Sequence, residues 1–368
     1  MSAPRRLATA ALAALLVAGL AACGSGDGDA TAGDASAPRL SGEIAGAGAS
    51  SQEAAQEAWI AGFVSEHDGV TVSYDPVGSG AGREQFIAGG VAFAGTDAAL
   101  SEEEGELKAA RERCAPGELV EVPAYVSPIA IIYNLPGVER LRLSPRTLAL
   151  IFDQKITRWR DPRIAADNPG VELPDTRITP VNRSDESGTT ENFVEYLSEA
   201  VPGAWPHEVS GDWPVQGGEA ASGTSGVVEA VAAGEGAIGY ADASQAGDLP
   251  AALIKVGREF VGPTPEAAAR ILEASPRDAS AAAGPYTLPF KLDRDTEAAG
   301  TYPIVLVSYL LACTRYGSAS EAEIVRAYLE HAVGPEGQRA AAANAGSAPL
   351  SPALTAQVAP AVEAIAAR

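Results

Sequence analysis

The chain has 368 residues, 46% of them hydrophobic and 20% charged, with a formal net charge of −22. That acidity argues against nucleic acid and against anionic lipid surfaces as partners, since both would be repelled at long range. It leaves room for a small anion, which is held by local donors and not by the net charge.

The chain opens with Arg5 and Arg6, an apolar run from Leu7 to Leu20, and then Leu20, Ala21, Ala22, Cys23. This is the pattern of a secretory signal with a lipoprotein cleavage site, so residues 1–22 are expected to be removed and Cys23 lipidated. The run is too short and too alanine-rich for a comfortable membrane span. Residues 23–39 read as a flexible tether of Gly, Ser, Ala and Asp, with a reach of roughly 20 Å. The expected location is extracytoplasmic, on the cell membrane through the lipid. About 330 residues follow from Leu40, more than one compact core usually organises, so two lobes are expected. Of the three cysteines, Cys114 and Cys313 remain beside Cys23. In an exported protein they are candidates for a disulfide, which would require the chain to leave one lobe and later return.

Taken in order, a short strand leads to Gly46–Ser51 and then a helix in which Trp59 and Phe63 stand at i and i+4. Ser50 and Glu53 have capping-box spacing. Val70, Val72 and Tyr74 alternate as a strand, Gly78–Gly82 with Ser79 form a turn, and a short helix is predicted over Arg83–Ile87. Phe93 begins a strand that ends at Asp97, and Ser101 with Glu104 is predicted to open a helix. Asp97 thus stands at a strand's carboxyl end, where open α/β sheets place ligand groups. Leu119–Tyr125 and Ile129–Tyr133 read as two strands separated by Val126, Ser127 and Pro128, where the chain is expected to cross between lobes. Pro145–Phe152 reads as a helix.

Ile178–Val181 read as a strand running into Arg183, Ser184, Asp185, Glu186, Ser187, Gly188, Thr189, Thr190, after which Phe193 and Leu197 give helical spacing. A helix start leaves N–H groups without partners and carries partial positive charge. Arg183 adds a planar fork of donors, and Asp185 could hold part of that fork and leave the rest for a ligand. Read alone, the octapeptide also fits an ordinary N-cap beside a surface ion pair. Further on, Gln216–Gly226 reads as a second Gly/Ser-rich loop feeding a helix through Val227 and Val231. Ala237–Tyr240 and Leu253–Val256 read as strands, Thr264–Ala274 as a capped helix and Ser275–Ala299 as a loop-rich insertion. Tyr302–Leu311 reads as a strand, and the helix carrying Ile324 and Tyr328 is expected to stop at Gly334 and Pro335.

Gly234–Gly239 spell a dinucleotide fingerprint but lie between a helix and a strand, the reverse of the order it needs. No Walker A loop, HExxH, cysteine pair at metal spacing or GxSxG elbow occurs in the sequence.

Seven stretches in series, GAGASS (46–51), VGSGAG (77–82), FAGTDAAL (93–100), YNLPGV (133–138), ITRWRDPRIAADNPGVELP (156–174), RSDESGTT (183–190) and AIGY (237–240), resemble the PstS-type phosphate-binding proteins of bacterial phosphate ABC transporters. The resemblance implies an α/β, two-lobed periplasmic-binding-protein-like (type II) fold with the ligand cleft between lobes and two hinge crossings. Lobe I would comprise 40–124 and 303–368, and lobe II 125–302. The phosphate ligands it implies are Ser50, Ser51, Ser79 and Asp97 from the first lobe and Arg183, Ser187, Gly188 and Thr189 from the second, with Asp185 bracing Arg183. It implies no catalytic residue, no metal and no cofactor. The partners it implies are inorganic phosphate and the permease subunits, with the protein a monomer anchored through Cys23. Two departures stand out. Ser50 and Ser51 replace a frequent threonine–aromatic pair, and Glu186 replaces a frequent glycine, so an inward Glu186 would weaken binding. Asp97 would accept a hydrogen bond from protonated phosphate and repel sulfate. The competing readings are a binding protein for sulfate, molybdate or a phosphonate, a secreted phosphatase, and a phosphate-sensing lipoprotein.

Overall fold

The computed structural model describes residues 40–279 and 281–367. The expected signal, the lipidated Cys23 and the tether lie outside the described residues.

Strand β1 (Gly42–Gly48) is followed by a 3-10 turn (Ser50–Gln52) and helix α1 (Glu53–Glu66), then by β2 (Val70–Asp75). Helix α2 (Ser79–Ile87) starts inside the stretch expected to be a turn, directly after Gly78 at φ 99°. Strand β3 (Phe93–Thr96) comes next. Helix α3 (Glu106–Cys114) starts five residues after Ser101, whose hydroxyl takes the Glu104 N–H at 3.3 Å and so closes a turn and not the helix.

The longest strand, β4 (Leu119–Tyr133), is buried at every position. It replaces the two strands expected, and its prolines explain why one strand is tolerated. Proline cannot donate to a ladder. Pro123 sits beside a register shift in the pairing with β11 (Val305–Cys313), and Pro128 is the last residue paired to it. From Ile129 the pairing passes to β8 (Ala237–Asp242). The missing N–H groups therefore fall where the ladder is already changing.

Between β4 and β8 come β5 (Arg142–Leu143), α4 (Pro145–Phe152), α5 (Pro162–Asp167), β6 (Thr179–Arg183), α6 (Gly188–Ala200), β7 (Glu219–Ala221) and α7 (Gly223–Ala233). The loop expected over 216–226 thus holds a short strand and the first turn of a helix. Strands β9 (Leu253–Val256) and β10 (Glu259–Val261) and helix α8 (Pro265–Ala274) follow, the last capped by Thr264. After β11 come β12 (Arg315–Tyr316), α9 (Ala319–Val333), α10 (Pro335–Ala345), α11 (Pro352–Glu363) and β13 (Ala366–Ala367). Gly334 ends α9 as expected, but Pro335 starts α10, because proline's fixed φ and missing N–H suit a first helical turn.

The main sheet of the described residues runs β2-β1-β3-β11-β4-β8-β6-β7. Its outer pairs are parallel, and the central pairs made by β11 and β4 are antiparallel. Helices cover the sheet and bury a core that includes Trp59, Phe63, Phe86, Phe152, Phe193 and Tyr328. Cys114, at the end of α3, and Cys313, at the end of β11, form a disulfide across a sequence separation of 199. No helix among the described residues is long and apolar enough to cross a membrane.

Candidate functional site

The sheet order brings four helix starts together. The 3-10 turn at Ser50 follows β1, α2 follows the loop after β2, α6 follows β6 and α7 follows β7. The first N–H groups of each have no intrahelical acceptor, and each start carries partial positive charge. How closely the pieces meet is clearest at two glycines. A Cβ on Gly188 would come within 2.8 Å of both Asp97 Cβ and Ser79 Oγ, and one on Gly78 within 2.6 Å of an Asp185 carboxylate oxygen. Larger residues would push the helix starts apart.

Asp97, 2% exposed, lies at the centre of this contact. Ser51 and Ser308 donate their hydroxyls to Oδ1, each at 2.6 Å, and Thr189 donates to Oδ2 at 2.9 Å. The Asp97 backbone N–H donates to Ser79 Oγ at 3.2 Å, and Asn192 Nδ2 donates to the Asp97 carbonyl at 2.8 Å. An ionised carboxylate offers about four acceptor positions, so three hydroxyl donors leave capacity on Oδ2.

Arg183, at the end of β6 and 3% exposed, is gripped along one edge by Asp185. Nε donates to Asp185 Oδ1 at 2.8 Å and Nη2 to Oδ2. The Gly223 N–H adds a bond to Oδ1 at 3.0 Å. Burial alone would raise the Asp185 carboxyl, but the Arg183 hydrogen bonds and charge, with the Gly223 N–H, hold it below its ordinary value. With Nε and Nη2 committed, Nη1 is the end of the fork that Asp185 does not take. Tyr240 aligns the motif: its hydroxyl accepts from the Arg183 N–H at 3.2 Å and bonds Thr190 Oγ1 at 2.7 Å.

Ser187 caps α6, its hydroxyl accepting from Thr190 N–H at 3.2 Å. That leaves the N–H groups of Gly188 and Thr189 in the unsatisfied first turn. Ser50 does not cap α1 as its spacing suggested. Its hydroxyl instead accepts from the Thr224 N–H at 3.1 Å and bonds Thr224 Oγ1 at 3.0 Å, while Gln245 Nε2 donates to its carbonyl at 2.6 Å. Glu186 turns to Arg83 and pairs with its Nη2.

A polar cavity of about 150 Å³ adjoins Asp97 and is lined by Glu191, Asn192, Glu195, Arg294 and Tyr309 among others. Burial first, and then neighbouring glutamates, raise the Glu191 carboxyl to about 7 against the pull of Arg83. Three carboxyls in its wall, those of Asp97, Glu191 and Glu195, make this cavity a poor seat for an oxyanion. The hydroxyl donors described above and Arg183, none of which lines this cavity, converge instead at the helix starts.

The PBP superfamily domain matches residues 32–336. The chain is 35% identical over 375 residues to the phosphate-binding protein PstS2 of Mycobacterium bovis (strain BCG / Pasteur 1173P2), covering 96% of this chain and 98% of that protein. The chain belongs to the PstS-type phosphate-binding proteins. Another PstS-type protein, phosphate-binding protein PstS 3 of Mycobacterium leprae, is 33% identical and covers 94% of this chain and 95% of its own length. Among solved structures, a phosphate-binding protein from Stenotrophomonas maltophilia superposes with TM-score 0.67 at 22% identity, over 87% of this chain and 94% of that one. A high-affinity periplasmic phosphate-binding protein solved with phosphate gives TM-score 0.68 at 24% identity, over 86% and 93%. At those identities the likeness establishes the fold, a mixed α/β periplasmic-binding-protein-like architecture.

Every PstS-type ligand position read from the sequence lies in or beside this cluster of helix starts. Sequence reading missed Thr224, Gln245, Ser308, Asn192 and Tyr240, which hold the named residues in place. Thr224 had a visible signal, since it lies in the Gly/Ser-rich stretch 216–226. Tyr240 had one too, as the last residue of the AIGY stretch, and Asn192 stands one turn into the helix that the octapeptide opens. Gln245 and Ser308 had none, because their partners lie 195 and 211 residues away.

Proposed function

We propose that this protein captures inorganic phosphate between two lobes, 40–124 with 303–368 and 125–302, and delivers it to the membrane permease of a phosphate ABC importer. It acts by binding and not by catalysis. A lipid on Cys23 would hold it outside the cytoplasm beside that permease, with residues 23–39 as the tether. In this reading the ligand is held by Ser50, Ser51, Ser79, Asp97, Arg183, Ser187, Gly188 and Thr189, and Asp185 orients Arg183.

The observation that carries the reading is a carboxylate set among donors. Helix starts, hydroxyls and a buried guanidinium favour an anion, while Asp97 penalises any anion without a proton to share. Phosphate near neutral pH keeps a proton and sulfate keeps none, so phosphate satisfies both demands. Binding would exchange the Ser51 and Thr189 bonds to Asp97 for bonds to ligand oxygens, and Asp97 would accept from the ligand instead. Contacts from both sides of the site favour the closed form when ligand is bound.

Thermal unfolding tests this cheaply. A ligand present at about a thousand times its Kd adds about 4 kcal/mol to stability. Phosphate should raise the Tm by several degrees and equal sulfate should not; equal shifts would return the reading to a general oxyanion binder.

A further inference from the structure

We propose that Arg83 and Glu186 form a latch across the phosphate site, and that this latch slows the release of bound phosphate. The inference rests on the phosphate-capture reading above. Arg83 lies on α2 and is 2% exposed. Two of its contacts fix it to its own side: Nε donates to Glu106 at 2.7 Å and Nη1 to Thr96 Oγ1 at 3.2 Å. Its third contact, through Nη2, is to Glu186 on the loop that precedes α6. That loop also carries Asp185 and Ser187.

The pairing is built into the backbone on both sides. Gly80 donates its N–H to the Glu186 carbonyl at 3.4 Å, and a Cβ on Gly80 would overlap the Glu186 carboxylate. On the far side a Cβ on Gly211 would approach Glu186 Cγ to 3.0 Å, and Ser187 N–H bonds the Gly211 carbonyl at 3.0 Å. Arg83 also faces Glu106 and Glu191, and Glu186 faces Glu106, Asp212 and Glu104. A single guanidinium thus offsets several carboxylates that would otherwise repel one another across the site.

Two effects of Glu186 oppose each other. Its charge repels a bound anion through space, and its contact with Arg83 holds the closed form. Contact attraction falls off with separation, and Arg83 neutralises much of the carboxylate's distant field, so the contact dominates. The Glu186 side chain is 38% exposed, which keeps the effect modest. A device that acts on the closed form changes the off-rate, and an exposed repulsive charge changes the on-rate.

The test is Glu186→Gln in the mature protein, with inorganic phosphate as the probe and both rate constants measured by stopped flow. The latch predicts a Kd raised by roughly three- to thirtyfold, carried by koff, with kon within about twofold of wild type. Raising NaCl should speed release from wild type and leave E186Q unmoved. Because Arg83 is buried and its loss could disturb folding, Arg83→Gln serves only in the double-mutant cycle, where adding E186Q should cost nothing further. Equal or tighter binding by E186Q, with koff unchanged, overturns the latch and leaves phosphate capture standing. Failure of the wild type itself to bind phosphate overturns both.

Discussion

Thr189 and Asp97 lie 92 residues apart in sequence, and Thr189 Oγ1 donates to Asp97 Oδ2 at 2.9 Å. The first residue stands in the opening turn of α6 and the second just past β3. One hydrogen bond therefore joins the helix that offers N–H groups to the carboxylate proposed to select among anions.

Asp97→Asn is expected to lose discrimination more than shape. The amide keeps an acceptor but adds a donor and removes the charge, so sulfate is no longer repelled and protonated phosphate no longer favoured. Competition titrations with phosphate and sulfate measure the ratio. A variant that rejects sulfate as well as wild type would remove Asp97 from the selective role.

Arg183→Ala should weaken phosphate binding by about 2–5 kcal/mol, the range for truncating one partner of a buried charge pair. Part of that cost is the Asp185 carboxylate, which would keep the Gly223 N–H but lose both guanidinium donors. Titration of a variant whose circular dichroism matches wild type measures it, and unchanged affinity would move the anion site elsewhere.

Glu121 gives a pH signature. Its carboxyl is buried within β4; burial above all, with the Glu106 charge, pushes it up to about 7, against the Leu100 N–H and Arg83. Its ordinary value is 4.5, so the folded state holds the proton more tightly than the unfolded one. Stability is then greatest below the ordinary value and declines as pH rises through about 7. Over that window wild type should lose on the order of 3 kcal/mol relative to Glu121→Gln. Urea unfolding at pH 5 and pH 8 measures the difference, and parallel pH profiles for the two proteins would contradict it.

What could be read from the sequence follows from what is local. The octapeptide at 183–190 was legible because a strand end, a hydroxyl cap and a helical spacing lie side by side there, and Ser187 does cap α6. Ser50 misled, because its spacing to Glu53 suits a cap while its actual partner, Thr224, is 174 residues away. Strand β4 misled for a different reason. Val126, Ser127 and Pro128 look like a break until the pairing with β11 and β8 shows that the missing N–H of Pro128 falls at the change of partner. Glu186 read as a carboxylate intruding on an anion site, since nothing near it in sequence reveals that Arg83 stands opposite.

The central claim is that the donors around Asp97 and Arg183 take phosphate and refuse sulfate. Titration calorimetry of the chain from Leu40 onward, stripped of carried-over ligand, measures this directly. The account predicts tight one-to-one binding of phosphate and little heat from sulfate under the same conditions. Comparable binding of both anions, or of neither, would contradict it.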